Sequence, residues 1–311
     1  MTIGITTYRR PMLLGALLDV VARRIDDASE RIDASILVVD NDPAESARPV
    51  TAAHAGVRYV AEHNAGIAAA RQRALDETPE GQLLLFLDDD VIPSGQWLDP
   101  IVAVQTQFSA TVVAGYVRYT FPEGTDPWIV KGGFLRRVVR PTGTLLPAAA
   151  AGNMLVDVSA VRRLGVTFDH TLGLSGGEDT LFTRQLVRAG GSIVWCQESV
   201  VDDLVPVERT THAFCRARAR AHGSTTLLVA LRMAPPSELA RFAVRLQCLI
   251  GGLLRVGLGF ANHLTGRLRS DVARDANGIR IAERGWGMAC AALGLTLAEY
   301  RRSASASPAP R

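Results

Sequence analysis

Three consecutive carboxylates, Asp88, Asp89 and Asp90, close the apolar run LLLFL at 83–87. Gly81 precedes the run and Pro93, Ser94 and Gly95 follow it, so it reads as a buried strand with an acidic end. Adjacent Asp side chains repel one another and are poor strand formers, and their position therefore asks for a reason. An oxygen-rich cluster suits Mg²⁺ or Mn²⁺; the competing reading is a solvated acidic loop. A second acidic pair, Glu178 and Asp179, follows Gly176-Gly177 and opens the helical pattern 180–189. One carboxylate there serves as a helix cap. Two exceed what a cap needs, and Asp179 is the one expected to act in catalysis.

The elements that carry these groups repeat as strand, loop, helix through the first hundred residues. The run 2–7 is a short strand, and Pro11 opens a helix marked by Leu13, Leu14, Leu17, Leu18 and Val21. Residues 34–39 and 57–60 are the next buried runs, and 67–77 is a helix of mostly Ala and Arg. Such alternation predicts an α/β fold whose mostly parallel sheet is flanked by helices. In these sheets ligands bind at the carboxyl ends of the strands. Thr7-Tyr8-Arg9, Asp40-Asn41, Asn64-Ala65-Gly66 and Asp88-Asp89-Asp90 all fall at those ends, so four strand ends point at one crevice. Arg71, one turn into its helix, is positioned to reach a phosphate.

Further strands are expected at 112–119 and 192–196, with 199–207 as a loop or edge strand. Residues 121–144 are irregular, which in a compact domain marks a functional or mobile segment. After Val207 the chain is rich in Arg. An Arg-rich helix covers 212–224. A longer one covers 237–264, with Leu239, Phe242, Leu246, Leu249, Leu253, Val256, Phe260 and Leu264 as one stripe. Its charge-free run at 246–254 is short for a membrane span. With Arg241, Arg245 and Arg255 among its apolar residues, it reads as a helix lying on an anionic membrane or packed on protein. The Ser/Ala/Pro-rich tail 303–311 reads as disordered.

The 311 residues carry a net charge of +3, too mild to argue for nucleic acid. Cys196, Cys215, Cys248 and Cys290 are scattered without a CxxC pair, so neither a zinc site nor a disulfide framework is indicated. That, and a start with no signal-peptide pattern, leads to the expectation of a cytoplasmic protein, at the inner face of the membrane if the long helix docks there.

Taken together, TTYRRP, VVDND, HNAGIAAARQRAL, LLLFLDDDVIP, AGNMLV and FDHTLGLSGGEDTLFTRQLVRAGG resemble glycosyltransferase family 2, over residues 2–206. The resemblance implies an inverting enzyme of the GT-A fold, with a Rossmann-like mixed, mostly parallel sheet and a C-terminal helical extension. It divides the chain into a catalytic domain at 1–206, a helical extension at 207–302 and the tail. It implies that Thr7, Tyr8, Arg9 and Asp40 hold the base and ribose, and that Asn64, Gly66 and Arg71 border the nucleotide. Asp88 and Asp90 match a DxD motif, with Asp90 as the nearest metal ligand and Asp88 nearer the ribose; Asp89 goes with the nucleotide contacts, without a role of its own beyond the fold. Asp179, beside Glu178, matches the family's general base. A late His common in the family is absent here; Asp202, Asp203 or His212 stands in its neighbourhood.

The expected reaction is transfer of a sugar from a UDP-, GDP- or dTDP-linked donor to a hydroxyl acceptor on a glycan, a lipid-linked molecule or a secondary metabolite. The expected cofactor is Mn²⁺ or Mg²⁺. A nucleotidyltransferase is the alternative enzyme class, but ITTYRR lacks the Gly-rich phosphate loop it needs. A non-catalytic nucleotide-sugar binding module is the third reading, and the presence of both acidic motifs argues against it.

Overall fold

The computed structural model describes residues 1–28, 30–172 and 176–295; the tail at 303–311 lies outside them. Eight strands form one mixed sheet: β1 (Thr2–Thr7), β2 (Ser35–Asp40), β3 (Val57–Ala61), β4 (Leu83–Asp88), β5 (Val91–Pro93), β6 (Val112–Thr120), β7 (Asn153–Asp157) and β8 (Ile193–Leu204). Their order is β3-β2-β1-β4-β7-β6-β8-β5. The first four strands are parallel neighbours, β4 and β6 meet β7 antiparallel, β6 and β8 run parallel, and β5 pairs antiparallel with β8.

Only Asp89 and Asp90 separate β4 from β5, yet three strands lie between them in the sheet. Four strand spacings on a flat sheet would span roughly 19 Å, whereas that short link reaches only about 11 Å. The second half of the sheet must therefore curl back on itself, and the triple-Asp turn sits at the seam of the curl.

Helices cover both faces. α1 (Pro11–Ala28) and α4 (Leu98–Phe108) pack on one side, where Ile3, Ile5, Val38, Leu85 and Leu87 meet Leu14, Leu18, Trp97 and Ile101. The alternate residues Leu37, Val39, Leu84 and Phe86 face the other side. There they meet Ala70 and Ala74 of α3 (Ile67–Glu77), Val161 of α6 (Val158–Arg163) and Phe182 of α7 (Glu178–Arg188). Phe168 stacks on Phe182 with centroids 4.0 Å apart and meets Phe86 edge-on at 5.7 Å. This aromatic trio anchors the start of α7 to β4, and thus the second acidic pair to the first. The short helices are α2 (Arg48–Ala52) and α5 (Pro127–Gly132); α5 lies inside the segment expected to be irregular. The expected loop or edge strand at 199–207 is instead the continuation of β8, which has neighbours on both sides and a register shift opposite Gly115/Tyr116.

The C-terminal part is three helices: α8 (His212–Met233), α9 (Glu238–Leu268) and α10 (Val272–Ala292). α9 and α10 pair through a seam of glycines. A Cβ on Gly252 would lie 2.7 Å from the Gly285 carbonyl, and one on Gly259 2.5 Å from the Ala282 amide. Gly252, Gly259 and Gly266 are seven residues apart, so they share one helix face. The backbones touch there, and α9 buries Cys248 and these three glycines. Its large apolar side chains point the other way: Leu239, Phe242, Leu246, Leu253, Phe260 and Leu264 are all exposed, up to 78% for Leu239. The stripe expected from the sequence exists, but it faces outward.

Candidate active site

The strand ends and the C-terminal helices enclose one cleft of about 860 Å³. Thr7, Tyr8 and Arg9 line it from the β1–α1 turn, with Gly66 and Arg71 from α3 and its approach, Asp88, Asp89 and Asp90 from the seam, and Glu178 and Asp179 from α7. Ten of the twelve residues singled out from the sequence therefore share one wall system. Asp40 and Asn64 are not among the lining residues. Asp40 is fully buried, and its carboxylate accepts from the amides of Asp42 (3.0 Å) and Ala47 (2.8 Å) and from the Tyr59 hydroxyl (3.2 Å). It shapes the loop after β2. Asn64 gives its carbonyl to Asn41 Nδ2 at 2.6 Å. Asn41 is the residue of that strand end that reaches the cleft, and its Oδ1 accepts from the Gly66 amide at 2.8 Å.

The acidic turn is tied down by arginines. Arg71 is buried and divides its guanidinium between Asp88 Oδ1 at 2.8 Å and Glu178. Burial opposes its charge, but Asp88, Glu178 and Asp179 outweigh that and hold it firmly protonated. One side chain thus couples the two acidic motifs, the second of them 107 residues beyond Arg71. Arg10 Nη1 reaches Asp89 Oδ1 and Asp90 Oδ2, both at 2.9 Å, and Thr7 Oγ1 donates to Asp89 Oδ2 at 2.7 Å. Burial lifts the Asp89 carboxyl to about 6 against the pull of Arg10 and Thr7. Arg10 was not singled out from the sequence, where it reads only as part of a turn. Arg9, beside it, adopts a left-handed backbone with φ 55°, lies over the Tyr8 ring and pairs with Asp42 at 3.1 Å.

The Glu178 carboxyl is raised by burial and by its neighbour Asp179, with Arg71 opposing. Committed to Arg71 and buried, it is a structural partner of the site. Asp179 is half-buried on the cleft wall, and its Oδ1 accepts from the Thr180 amide at 2.5 Å. Gly177, at φ 89°, lets α7 begin against α8: a Cβ there would lie 2.2 Å from Thr225 Cγ2. α8 is therefore the structure next to Asp179.

Strand alternation settles which late acid faces the cleft. Asp203 lines it, whereas Asp202 points away and pairs with Arg118 at 2.6 and 2.8 Å. His212 is not among the lining residues; it pairs with Asp126 at 2.8 Å and stacks on Trp128. Burial lifts Asp203 to about 6, with Asp90 adding repulsion and Arg209 opposing. Arg209 Nη1 also stands 3.8 Å from Asp90 Oδ2.

Among the described residues no three His, Cys, Asp or Glu side chains form a metal site by themselves. The donor set nonetheless fits a hard cation held jointly by protein and substrate phosphates, which needs only one or two carboxylates. A Cβ on Gly152 would fill the space 2.7 Å from Asp88 Oδ2, the oxygen that Arg71 leaves uncommitted. Asp203, on the same cleft with Arg209 and Arg218 opposing its burial, adds a third carboxylate.

A curled mixed sheet with nucleotide-sized space at its strand ends and two acidic loops defines a GT-A glycosyltransferase. Residues 2–165 match Glycosyl transferase family 2, and the chain belongs to that family. It is 33% identical over 239 residues to the succinoglycan biosynthesis protein ExoM of Rhizobium meliloti (strain 1021), covering 72% of each chain. It is 27% identical over 170 residues to the glycosyltransferase AglE of Haloferax volcanii, covering 53% of this chain and 55% of AglE. Among solved structures, S. aureus TarS (residues 1–349 with UDP-GlcNAc) matches with TM-score 0.50 and 14% identity over 91% of this chain and 90% of TarS. GalNAc-T7, solved with UDP, GalNAc and Mn²⁺, matches with TM-score 0.51 and 16% identity over 77% of this chain and about half of its own, 53%. At these identities the two structures bear on the fold.

Proposed function

We propose that this glycosyltransferase moves a sugar from a nucleoside-diphosphate donor to a hydroxyl acceptor, with inversion and with Asp179 as the general base. The observation that carries the reading is the pairing of Arg71 with both Asp88 and Glu178, which locks the acidic turn and the Glu178-Asp179 pair around one cleft. The acceptor hydroxyl attacks the anomeric carbon while Asp179 takes its proton. The bond from that carbon to the diphosphate breaks, and its electron pair leaves with the nucleoside diphosphate. Asp179, in the first turn of α7, and the acidic turn lie on separate elements, which suits the separate positions that a single displacement needs for base and leaving group. The mononucleotide-sized wall of Thr7, Tyr8, Arg9, Asn41 and Gly66 suits the base and ribose.

Asp88 and Asp90, with Asp203, would hold a divalent cation, which when bound neutralises charge on the leaving diphosphate. UDP and Mn²⁺ in GalNAc-T7, and UDP-GlcNAc in TarS, support a nucleotide-sugar donor and a cation for this chain as well. A thermal-shift screen with UDP-, GDP- and dTDP-sugars tests this. With Mn²⁺, one nucleotide class is expected to raise the melting temperature, by about 2.7 kcal/mol of stabilisation at one hundred times its Kd. EDTA and Asp90→Ala should each remove the Mn²⁺-dependent part, and their effects should not add. No shift with any nucleotide at millimolar concentration contradicts the donor assignment.

The second part of the reading concerns α9. By length and composition it is apolar enough to cross a membrane, and only about a sixth of its most apolar window is buried. It buries glycine and exposes leucine, the reverse of a soluble core helix. Arg241, Arg245 and Arg255 are on the same helix but towards α10, where Arg245 donates to the Ala292 carbonyl, and Glu238 is the helix's single acid. The exposed apolar face and the basic balance of the helix support docking on an anionic bilayer, with the cleft held at its surface.

A further inference from the structure

A second hollow, an open groove of about 600 Å³, lies between the last turns of α9, the first turns of α10 and the end of α5 with the loop after it. Lys131, Arg136, Arg274 and Arg280 line it, against one acid, Asp271. Asp271 caps α10, accepting from the Arg274 amide at 3.0 Å. The acids within α10 are taken elsewhere: Asp275 by His263, and Glu283 by Arg216 at 2.7 Å and Arg220 at 2.6 Å. Among the described residues no carboxylate stands within ion-pair distance of any of the four cations.

Backbone contacts fix the walls of the groove. A Cβ on Gly266 would lie 2.3 Å from the Asp275 amide nitrogen, and one on Gly132 2.8 Å from Ala276 Cβ. Both α9 and α5 therefore press on the start of α10. Arg280 bridges the floor: its Nε donates to the Gly132 carbonyl at 3.1 Å and its Nη2 to Asn277 Oδ1 at 2.5 Å. Both acceptors are neutral. Burial, then the charges of Arg284 and Arg136, push the Arg280 guanidinium down from its ordinary value. Arg274 stands in the first turn of α10, the end where the helix dipole disfavours a cation. Folding gains nothing from a cation placed there, whereas an anion in the groove would. Guanidinium and ammonium groups suit phosphate oxygens in particular.

The rim of the groove indicates where the phosphate comes from. Val138 lines it, and Val272 sits between the lining residues Asp271 and Ala273; both are exposed. Asn262 supplies the α9 wall, one turn after Leu258, another exposed apolar side chain of that helix. A soluble phosphate gains nothing from an apolar rim, but a phospholipid offers hydrocarbon beside its phosphate. We propose that the groove of Lys131, Arg136, Arg274 and Arg280 binds the phosphate headgroup of an anionic phospholipid in the bilayer on which α9 docks. This rests on the docking reading of α9. Arg136 lines the active-site cleft as well, so a headgroup held in the groove lies next to the cleft.

The test is co-sedimentation of the full chain with vesicles of phosphatidylcholine alone, or of equal parts phosphatidylcholine and phosphatidylglycerol. The wild type should sediment with the mixed vesicles. Lys131→Gln/Arg274→Gln, at two exposed positions outside the cleft, should bind them about tenfold more weakly or worse, with its melting temperature unchanged. Arg23→Gln/Arg163→Gln removes the same charge from exposed positions on α1 and α6, and should bind within about twofold of the wild type. Unchanged binding of the groove variant overturns the proposal. So does equal weakening by both pairs, which makes the attraction a diffuse property of the basic surface. A wild type left in the supernatant with both kinds of vesicle shows that the docking reading has failed, and the headgroup assignment falls with it. Calorimetric titration with glycerol 1-phosphate separates the lipid from a free phosphate. Binding in solution that Lys131→Gln/Arg274→Gln abolishes, beside vesicle binding that this variant keeps, gives the groove to a soluble phosphate and overturns the lipid assignment.

Discussion

Single residues in this cleft are set by what they are paired with. Glu178 and Asp179 are neighbours in sequence, yet one is spent on Arg71 and the other faces the cavity. Asp202 and Asp203 divide in the same way across β8. His222 has a measurable signature. The fold pushes it down to about 4, by burial first and then by the surrounding arginines, whereas an unfolded His titrates near 6.5. Between about 4 and 6.5 the unfolded chain therefore binds a proton that the fold refuses. Stability from this group is fully present above about 6.5 and is lost as pH falls towards 4. His222→Gln should lose less stability than the wild type on acidification from pH 7.5 to 4.5, by up to about 3 kcal/mol in denaturant titrations. Parallel acid slopes for the two proteins would contradict this.

At the scale of elements, the first hundred residues were legible because their strands are apolar runs bounded by glycine, proline and polar breaks, and their helices keep a 3.6-residue period. The acidic turn and the Gly176-Gly177-Glu178-Asp179 loop were legible for the same reason: chemistry collects at strand and helix ends. Three things were not. β5 looks like the tail of β4, and only the curl sends it to the far edge of the sheet. Asp40 sits at a strand end like the others, but its carboxylate turns inward to hold its own loop. The leucine stripe of α9 reads equally as a membrane-facing or a protein-facing surface, and the face actually buried is decided by glycines that meet α10. That seam makes two predictions. Gly259→Val would drive a side chain into the α10 backbone and should cost about 1–3 kcal/mol, read as a lower denaturation midpoint with an unchanged m-value; a neutral result would mean the helices are not in backbone contact. The wild type should co-sediment with vesicles containing anionic phospholipid, and Arg241→Glu/Arg245→Glu/Arg255→Glu should stay in the supernatant. Equal recovery of both proteins in the soluble fraction would assign the leucine face to another partner.

For the molecule as a whole, the site does not belong to the sheet alone. The sheet's strand ends, α7, α8 and α10 line one cleft, so residues on both sides of position 206 build it. The first half of the chain brings Thr7, Tyr8, Arg9 and the acidic turn, and the second half brings Asp203, Arg209, Arg218 and Arg284. Arg71 joins the two acidic motifs, and Thr225 supports the helix that carries Asp179. The proposed mechanism makes binding and proton removal separate tasks of separate groups. Substituting Asp179→Asn measures that separation most directly, with turnover and nucleotide-sugar affinity determined on the same preparation. Turnover should fall by about 10²–10⁴, the usual contribution of a general base, while affinity for the nucleotide-sugar stays within about threefold. Turnover equal to that of the wild type, with the fold intact, would contradict the assignment of Asp179 and with it the account of the cleft.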